Sequence, residues 1–159
     1  MSGSSGTVIY RSDISRRLWK FTSFGQMENL PYGELVAIQN RYPSYFTDGL
    51  LIVLDKAVQS EFGLSKMYEN ILTPDNIDTI FERPIDDLEI FVKNLPPGMK
   101  HTFVNKTQEL YAENKLDSVK VIQLIEKQFG FSLTDNSPVE DIALKGDLGR
   151  NNIIYVDKK

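Results

Sequence analysis

The chain has 159 residues, of which 41% are hydrophobic and 25% charged, and its net charge at pH 7 is −4. This composition is typical of one globular domain with a buried core, and the negative charge disfavours nucleic-acid or anionic-membrane binding over the whole surface. Cysteine is absent, which excludes disulfides and thiolate metal sites and favours a reducing compartment. We therefore expect a cytoplasmic protein that has no membrane partner.

The N-terminal sequence MSGSSG is rich in serine and glycine and lacks the basic-then-apolar pattern of a signal peptide. We interpret residues 1–6 as a flexible N-terminus or the remnant of a tag. Residues 7–133 then form a single globular α+β domain. Residues 134–159 are expected to be an extended C-terminal segment with a strand at 152–157.

The segments TVIYRSD (7–13) and LWKFTSF (18–24) are β-branched and aromatic runs of strand length, which predicts a hairpin. Cations alternate with aromatic side chains along it, and Trp19 is expected in or near the core. Arginine beside an aromatic ring is suited to nucleic acid, whereas the alternative is a hairpin with core aromatics and solvated arginines. The candidate nucleic-acid or anion-binding residues here are Arg11, Arg16, Arg17, Trp19 and Lys20.

The middle of the chain predicts one more strand and a series of short helices. A helix is expected over 31–42 with Asn29 as its cap, and LLIVL at 50–54 reads as a buried strand. A further helix ends at Gly63, and the last one is capped by Asp117 and ends at Gly130. Between them, helices are predicted over 65–72 and after Pro74, Pro84 and Pro97, since proline suits a first helical turn.

These elements predict an α+β fold with a small antiparallel sheet beside a compact bundle of short helices. The sheet would contain the N-terminal hairpin, strand 50–54 and the C-terminal strand at 152–157. The C-terminal segment NNIIYVDK resembles VIYR near the N-terminus, so pairing of these two segments would bring the chain ends together.

Most catalytic templates lack parts in this sequence, because it has one histidine and no cysteine. On a helix that begins at Pro97, His101 would face solvent together with Asn105. The acids between 75 and 89 would suit a hard divalent cation, but acids at helix starts also complement the helix dipole. We expect no enzyme activity and no cofactor, with a metal-dependent hydrolase using these acids as one alternative.

A second basic stretch runs without any acid from Ile90 to Gln108. Amides at the start of the helix after Pro97, beside Lys100, are able to bind an anion. Lys100 and Lys106 are therefore added to the candidate nucleic-acid or anion-binding residues.

The absence of a complete catalytic group favours a non-enzymatic interaction protein: a small adaptor, regulator or assembly component that acts through a helical surface on a protein partner. The main alternative is a nucleic-acid-binding regulator that uses the hairpin at 10–24. An excess of isoleucine, asparagine and lysine over alanine indicates an AT-rich gene, as in many low-GC bacteria and their viruses. A viral protein in the host cytoplasm or the virus particle would fit this bias.

Overall fold

The sheet is built on the predicted hairpin. In the computed structural model, which describes residues 1–134 and 153–155, strand β1 (Thr7–Arg11) pairs antiparallel with β2 (Leu18–Phe21). Strand β3 (Ile153–Tyr155) pairs with the other side of β1, so the order is β2-β1-β3. The α+β class and the pairing of the chain ends are confirmed.

The expectation of a wholly antiparallel sheet is wrong, because β3 runs parallel to β1, with Thr7 opposite Ile153. Parallel neighbours need a long crossover connection, and here the helical region of the chain lies between the two strands. The rest of the segment 134–159 falls outside the described residues, apart from Thr134.

Residues 50–53 are buried as predicted, but Leu54 is 49% exposed and the segment is not a strand of the sheet. Leu51 makes one isolated antiparallel bridge to Ser2, and the Ile52 N–H donates to the Met1 carbonyl at 2.7 Å. The Leu51 N–H donates to the Tyr45 carbonyl at 2.8 Å. These backbone groups thus bond to the N-terminal residues and to a neighbouring turn, so they do not pair with a strand of the sheet.

Residues 1–6, which were expected to be flexible, include a buried run. Met1 to Ser4 are buried, and the Ser2 N–H donates to the Gln26 carbonyl at 2.8 Å. Gly3 lies so close to another part of the backbone that a Cβ there would be 2.0 Å from the Gly49 carbonyl oxygen. The small residues that suggested flexibility are the ones that this close backbone approach requires.

Three helices follow the hairpin: α1 (Tyr32–Arg41), α2 (Ser44–Thr47) and α3 (Lys56–Glu61). Pro31, rather than the predicted Asn29, occupies the cap position of α1. Asp55 caps α3 by accepting from the N–H groups of Ala57 and Val58 at 2.9 and 3.1 Å. This helix ends before Gly63, whose φ of 70° is left-handed, as the sequence predicted.

The two helices predicted between 65 and 84 are replaced by turns and two short 3-10 helices, Met67–Asn70 and Ile80–Glu82. Side-chain bonds add to the backbone bonds of these turns, since the side chains of Thr73 and Asn76 each accept from the other's backbone N–H. The Asn76 amide also donates to the Ile71 carbonyl at 3.0 Å. Such local bonds compete with helix formation, so the start signal at Thr73-Pro74 yields a turn.

The remaining helices are α4 (Ile85–Lys93), α5 (Pro97–Ala112) and α6 (Val119–Phe129), and all three confirm predicted segments. Ser118, not Asp117, is the cap residue of α6, while Gly130 ends it in the left-handed conformation. The Phe103 ring lies 5.0 Å from that of Phe81 and 5.7 Å from that of Phe129. Among the described residues, no helix combines the length and apolar character needed to cross a bilayer.

Candidate functional site

The inner face of the hairpin is an aromatic part of the core. Tyr10 and Trp19 are buried opposite one another, with their rings stacked at a centroid distance of 5.7 Å. Tyr45 approaches the Tyr10 ring edge-on at 6.2 Å and donates its hydroxyl hydrogen to the Ile9 carbonyl at 2.8 Å. The prediction that Trp19 lies in the core is confirmed, and contacts with Tyr45 attach the inner face of the hairpin to the core.

A buried carboxylate joins the hairpin to α1. Glu34 is 4% exposed and accepts hydrogen bonds from the Tyr10 hydroxyl at 3.0 Å and the Ser12 hydroxyl at 2.8 Å. The Ser12 oxygen in turn accepts from the N–H groups of Ile14 and Ser15 at 3.0 and 2.9 Å, which fixes the connecting loop. The buried Glu34 side chain thus stabilises the conformation of the loop through Ser12.

The same contacts shift two pKa values. Burial alone would raise the pKa of Glu34, but hydrogen bonds from Ser12, Ser15 and Tyr10 together hold the pKa below its ordinary value. Burial, followed by the hydrogen bond to Glu34, raises the pKa of Tyr10 to about 12. At neutral pH the pair is therefore a carboxylate and a neutral phenol, as the hydrogen bond between them requires.

Sequence reasoning missed Glu34, although one signal for it exists. Glu34 lies four residues before Ile38, which is fully buried, so the two side chains share one face of α1. An acid on the buried face of a helix needs hydrogen-bond donors, and two of these come from the hairpin.

The predicted cations of the hairpin divide between its two faces. The Arg17 guanidinium lies over the Trp19 ring, 5.0 Å from its centroid, and so covers the edge of the core. Arg16 is an exposed loop residue in a left-handed conformation with φ of 62°. Arg11 and Lys20 are exposed and lie on the outer face, opposite to Tyr10 and Trp19.

The outer face alternates charge and apolar surface. Arg11 is paired with Leu18 across the two strands, and Ile9 is paired with Lys20, so cations lie on one diagonal and aliphatic side chains on the other. Leu18 is 47% exposed and Ile9 is partly buried. Directly opposed Cβ atoms on such a pair of strands are about 4.5–5.5 Å apart. We call these four residues the hairpin face; Ile14, 66% exposed, lies in the loop at its end.

The outer edge of β2 is partly closed by a side chain. The Gln26 side-chain oxygen accepts from the Thr22 N–H at 2.8 Å, while its nitrogen donates to the Lys20 carbonyl at 3.1 Å. The amide therefore takes two backbone groups that an added strand would need. A partner of the hairpin is better accommodated on the face than along this edge.

Lys100 and Lys106 lie on α5, away in sequence from the hairpin. Lys106 forms ion pairs with Asp78 at 2.8 Å and Glu109 at 3.3 Å, and its side chain is 17% exposed. Lys100 is partly buried.

Two of the amides on which the anion-site prediction depends have backbone acceptors. The Gly98 N–H donates to the Asp48 carbonyl at 2.7 Å, and the Met99 N–H donates to the Pro96 carbonyl at 2.9 Å. These two N–H groups are therefore occupied, and the amides after Lys100 lie within α5, where N–H groups bond along the helix. The hypothesis of anion binding is left to the Lys100 side chain.

His101 does not face solvent as predicted. It is partly buried, with Nδ1 3.5 Å from the Ser5 hydroxyl oxygen, which also accepts from the Asn105 amide at 3.2 Å. The Ser5 N–H donates to the Thr102 hydroxyl at 2.8 Å. The helical face was assigned to solvent because the N-terminal segment that covers it had been set aside as flexible.

The acids between 75 and 89 lie on exposed turns and at the start of α4, with Leu88 on the buried side. Within residues 1–134, no group of three or more histidine or acidic side chains is arranged so that it could hold a metal ion.

Comparisons with protein-family models, characterised proteins and solved structures find no match to this chain. The function is therefore inferred from the chemistry of the surfaces described above.

Proposed function

We propose that this is a non-enzymatic interaction protein, an adaptor or assembly component, and that it binds a protein partner through the hairpin face. The observation that carries this proposal is the alternation of Arg11 and Lys20 with Ile9 and Leu18 on a rigidly held hairpin. An interface that combines an apolar contact with charged positions suits a protein surface. The sequence had pointed to a helical surface instead, and the hairpin replaces it here.

The hairpin is suited to binding because its own shape is fixed before a partner arrives. The stacked rings of Tyr10 and Trp19 lie on its buried inner face, and Glu34 stabilises its loop through a hydrogen bond from Ser12. A surface that does not have to become ordered on binding loses less conformational entropy. The aliphatic side chains would supply buried area, and the cations would orient the partner.

Nucleic acid is the second candidate, favoured by the exposed cations Arg11, Arg16 and Lys20. Base stacking, the other half of such recognition, needs an accessible ring, whereas Tyr10, Trp19 and Phe21 are 1–3% exposed. The exposed aliphatic side chains would gain nothing from a phosphate backbone. These features favour a protein partner over nucleic acid.

Quantitative affinity capture from the cells that carry the gene tests the proposal. The variant R11E/K20E reverses the charge of the hairpin face, and K56E/K66E makes the same charge change at exposed positions elsewhere. We expect a protein that the wild type and K56E/K66E retain to be lost with R11E/K20E. Equal recovery of every protein with all three baits would contradict the proposal.

Fluorescence anisotropy with labelled single-stranded DNA and RNA tests the second candidate. A phosphate-driven interaction is strongest at low salt and weakens steeply as salt is added. Binding at low salt that R11E/K20E abolishes would favour nucleic acid over a protein partner. We expect the anisotropy of both oligonucleotides to stay unchanged.

A further inference from the structure

We infer that a second copy of this chain docks on the hairpin face, and that it does so through the exposed side of α4. This inference depends on the proposed function and deepens it, since it names a partner. The evidence is the matching chemistry and spacing of two surfaces that are carried by different elements: the hairpin, which is anchored to α1, and α4, which packs against α6.

The exposed side of α4 carries an aliphatic side chain beside two acids. Ile90 is 57% exposed. Asp86 lies four residues before it and Asp87 three residues before it, and both are exposed. Residues at these spacings are neighbours on one helix surface, and helical side chains lean towards the N-terminus. Ile90 therefore leans towards the turn that carries the two carboxylates.

Lys93, the cation of α4 itself, is already compensated by an acid of the same helix. Lys93 lies three residues after Ile90 and pairs with Glu89 at 2.6 Å. The hydrogen bond from Lys93 is the main cause that lowers the pKa of Glu89. Arg83, just before the helix, is turned towards the Phe91 ring, 5.2 Å from its centroid. Lys127 of α6 also lies near Glu89, whose pKa it helps to lower. The side chains of Asp86, Asp87 and Ile90 themselves present an acidic and apolar surface. We call Asp86, Asp87 and Ile90 the α4 patch.

The two surfaces carry opposite charges, and the spacing of their side chains is similar. On α4, the Cβ atoms of neighbours three or four residues apart are about 5–6 Å apart. On the hairpin face, the opposed Cβ atoms of Leu18 and Arg11 are about 4.5–5.5 Å apart, and Lys20 lies two residues, about 7 Å, along β2 from Leu18. Ile90 can thus contact Leu18 while the carboxylates of Asp86 and Asp87 reach Arg11 and Lys20. Neither surface is complementary to itself, so each contact joins the hairpin face of one copy to the α4 patch of another.

Such a contact is small and depends on charge, so we expect weak association that decreases as salt is added. A small patch with a few ion pairs is typical of weak, transient association. Exposed ion pairs are largely screened at about 1 M salt, where the Debye length is about 3 Å. The weight-average sedimentation coefficient of the pure protein should therefore rise with protein concentration at low salt and fall to the monomer value at high salt.

Charge exchange between the two surfaces provides the decisive experiment. R11E/K20E makes the hairpin face acidic, so it is repelled by the α4 patch, and D86K/D87K makes the α4 patch basic, so it is repelled by the hairpin face. Each variant alone should sediment as a monomer at low salt. Their equimolar mixture should associate again, because every reversed surface then meets one of opposite charge.

Controls separate this result from general effects of charge or unfolding. K56E/K66E and E113K/D117K make the same charge changes at exposed positions outside the two surfaces, and both should associate like the wild type. The emission of Trp19, the only tryptophan, reports whether each variant keeps the hairpin folded.

Two outcomes would overturn the inference: a wild type that stays monomeric at low salt and high concentration, or a mixture of the two reversed variants that fails to associate. Affinity capture separates this failure from that of the proposed function. If D86K/D87K still retains the partner that R11E/K20E loses, the hairpin binds another protein and only self-association is excluded.

Discussion

Ser12 donates a hydrogen bond from its hydroxyl to Oε1 of Glu34 at 2.8 Å, and this contact ties the hairpin loop to α1. Residues 22 positions apart in the chain are joined in a buried site, where each polar group depends on the other for a partner. The position of the hairpin face thus depends on the buried side chain of Glu34, which belongs to α1.

Removing the Ser12 hydroxyl should destabilise the protein. In S12A the Glu34 carboxylate loses one donor while staying buried, and the N–H groups of Ile14 and Ser15 lose their acceptor. We expect the free energy of unfolding to fall by about 1–3 kcal/mol, measured by urea denaturation. S60A, at an exposed position of α3, is the control and should leave the midpoint nearly unchanged. Equal midpoints for S12A and S60A would show that the bond contributes little.

The lowered pKa of Glu34 predicts how stability changes in acid. The pKa in the folded protein lies below the ordinary value of 4.5, so the carboxylate stabilises the fold above that pH. This contribution is lost as the pH falls below 4.5 and through the folded pKa. Comparing E34Q with the wild type isolates the effect, because glutamine does not titrate. The wild type should lose its advantage in urea midpoint in acid, and a constant advantage over the whole range would contradict this account.

Buried tyrosines predict a loss of stability in alkali. Burial raises the pKa of Tyr68 to about 12, and burial together with the contact to Glu34 raises the pKa of Tyr10 to about 12. Their stabilising contribution is complete below the ordinary pKa of 10.0 and is lost as the pH rises from there through about 12. Burial also raises the pKa of Tyr45, so titration of the tyrosinate absorbance should show that Tyr10, Tyr45 and Tyr68 ionise together with unfolding. Ionisation of every tyrosine near the ordinary pKa, with the fold intact, would be the opposing result.

Gly3 tests whether the N-terminal segment belongs to the core. In G3A the new Cβ would lie 2.0 Å from the Gly49 carbonyl oxygen and 2.7 Å from Cε of Met99, and the backbone would have to move to avoid the first clash. We expect a loss of about 1–3 kcal/mol or more in unfolding free energy. G33A in α1 is the control, since its Cβ would meet nothing within 4 Å and alanine is the better helix former. Thermal melts in which both variants match the wild type would show that the segment does not pack in this way.

Local patterns in the sequence were sufficient to predict the hairpin, the buried Trp19 and the three helices from α4 to α6. Strands and helices of this kind follow from alternation and from stop signals such as Gly130, which depend on near neighbours. Burial was correctly expected for residues 50–53 and wrongly for Leu54, and the bonding partners of the segment include Ser2 and its neighbours, far away in sequence. Hydrophobicity indicates burial, whereas only tertiary contacts decide whether a strand forms.

The candidate site was predicted in part. Arg11 and Lys20 were identified from their charge, but their common face with Ile9 and Leu18 depends on the register of the hairpin. A shift of one residue would have exchanged the two faces, and the sequence left that choice open. The position of Glu34 on the buried face of α1 was a local signal, but its hydrogen-bond partners on the hairpin were not. The surroundings of His101 depend on the N-terminal segment, which had been set aside as flexible.

The central claim is that the hairpin face binds a protein, and site-specific photo-crosslinking tests it most directly. A photoreactive amino acid is placed at Leu18 in one version of the protein and at Val119 in another, both exposed hydrophobic positions. After irradiation in the cells that carry the gene, we predict a discrete protein adduct at position 18 that R11E/K20E abolishes and position 119 does not form. Identical adducts from both positions, or none from position 18, would contradict the claim.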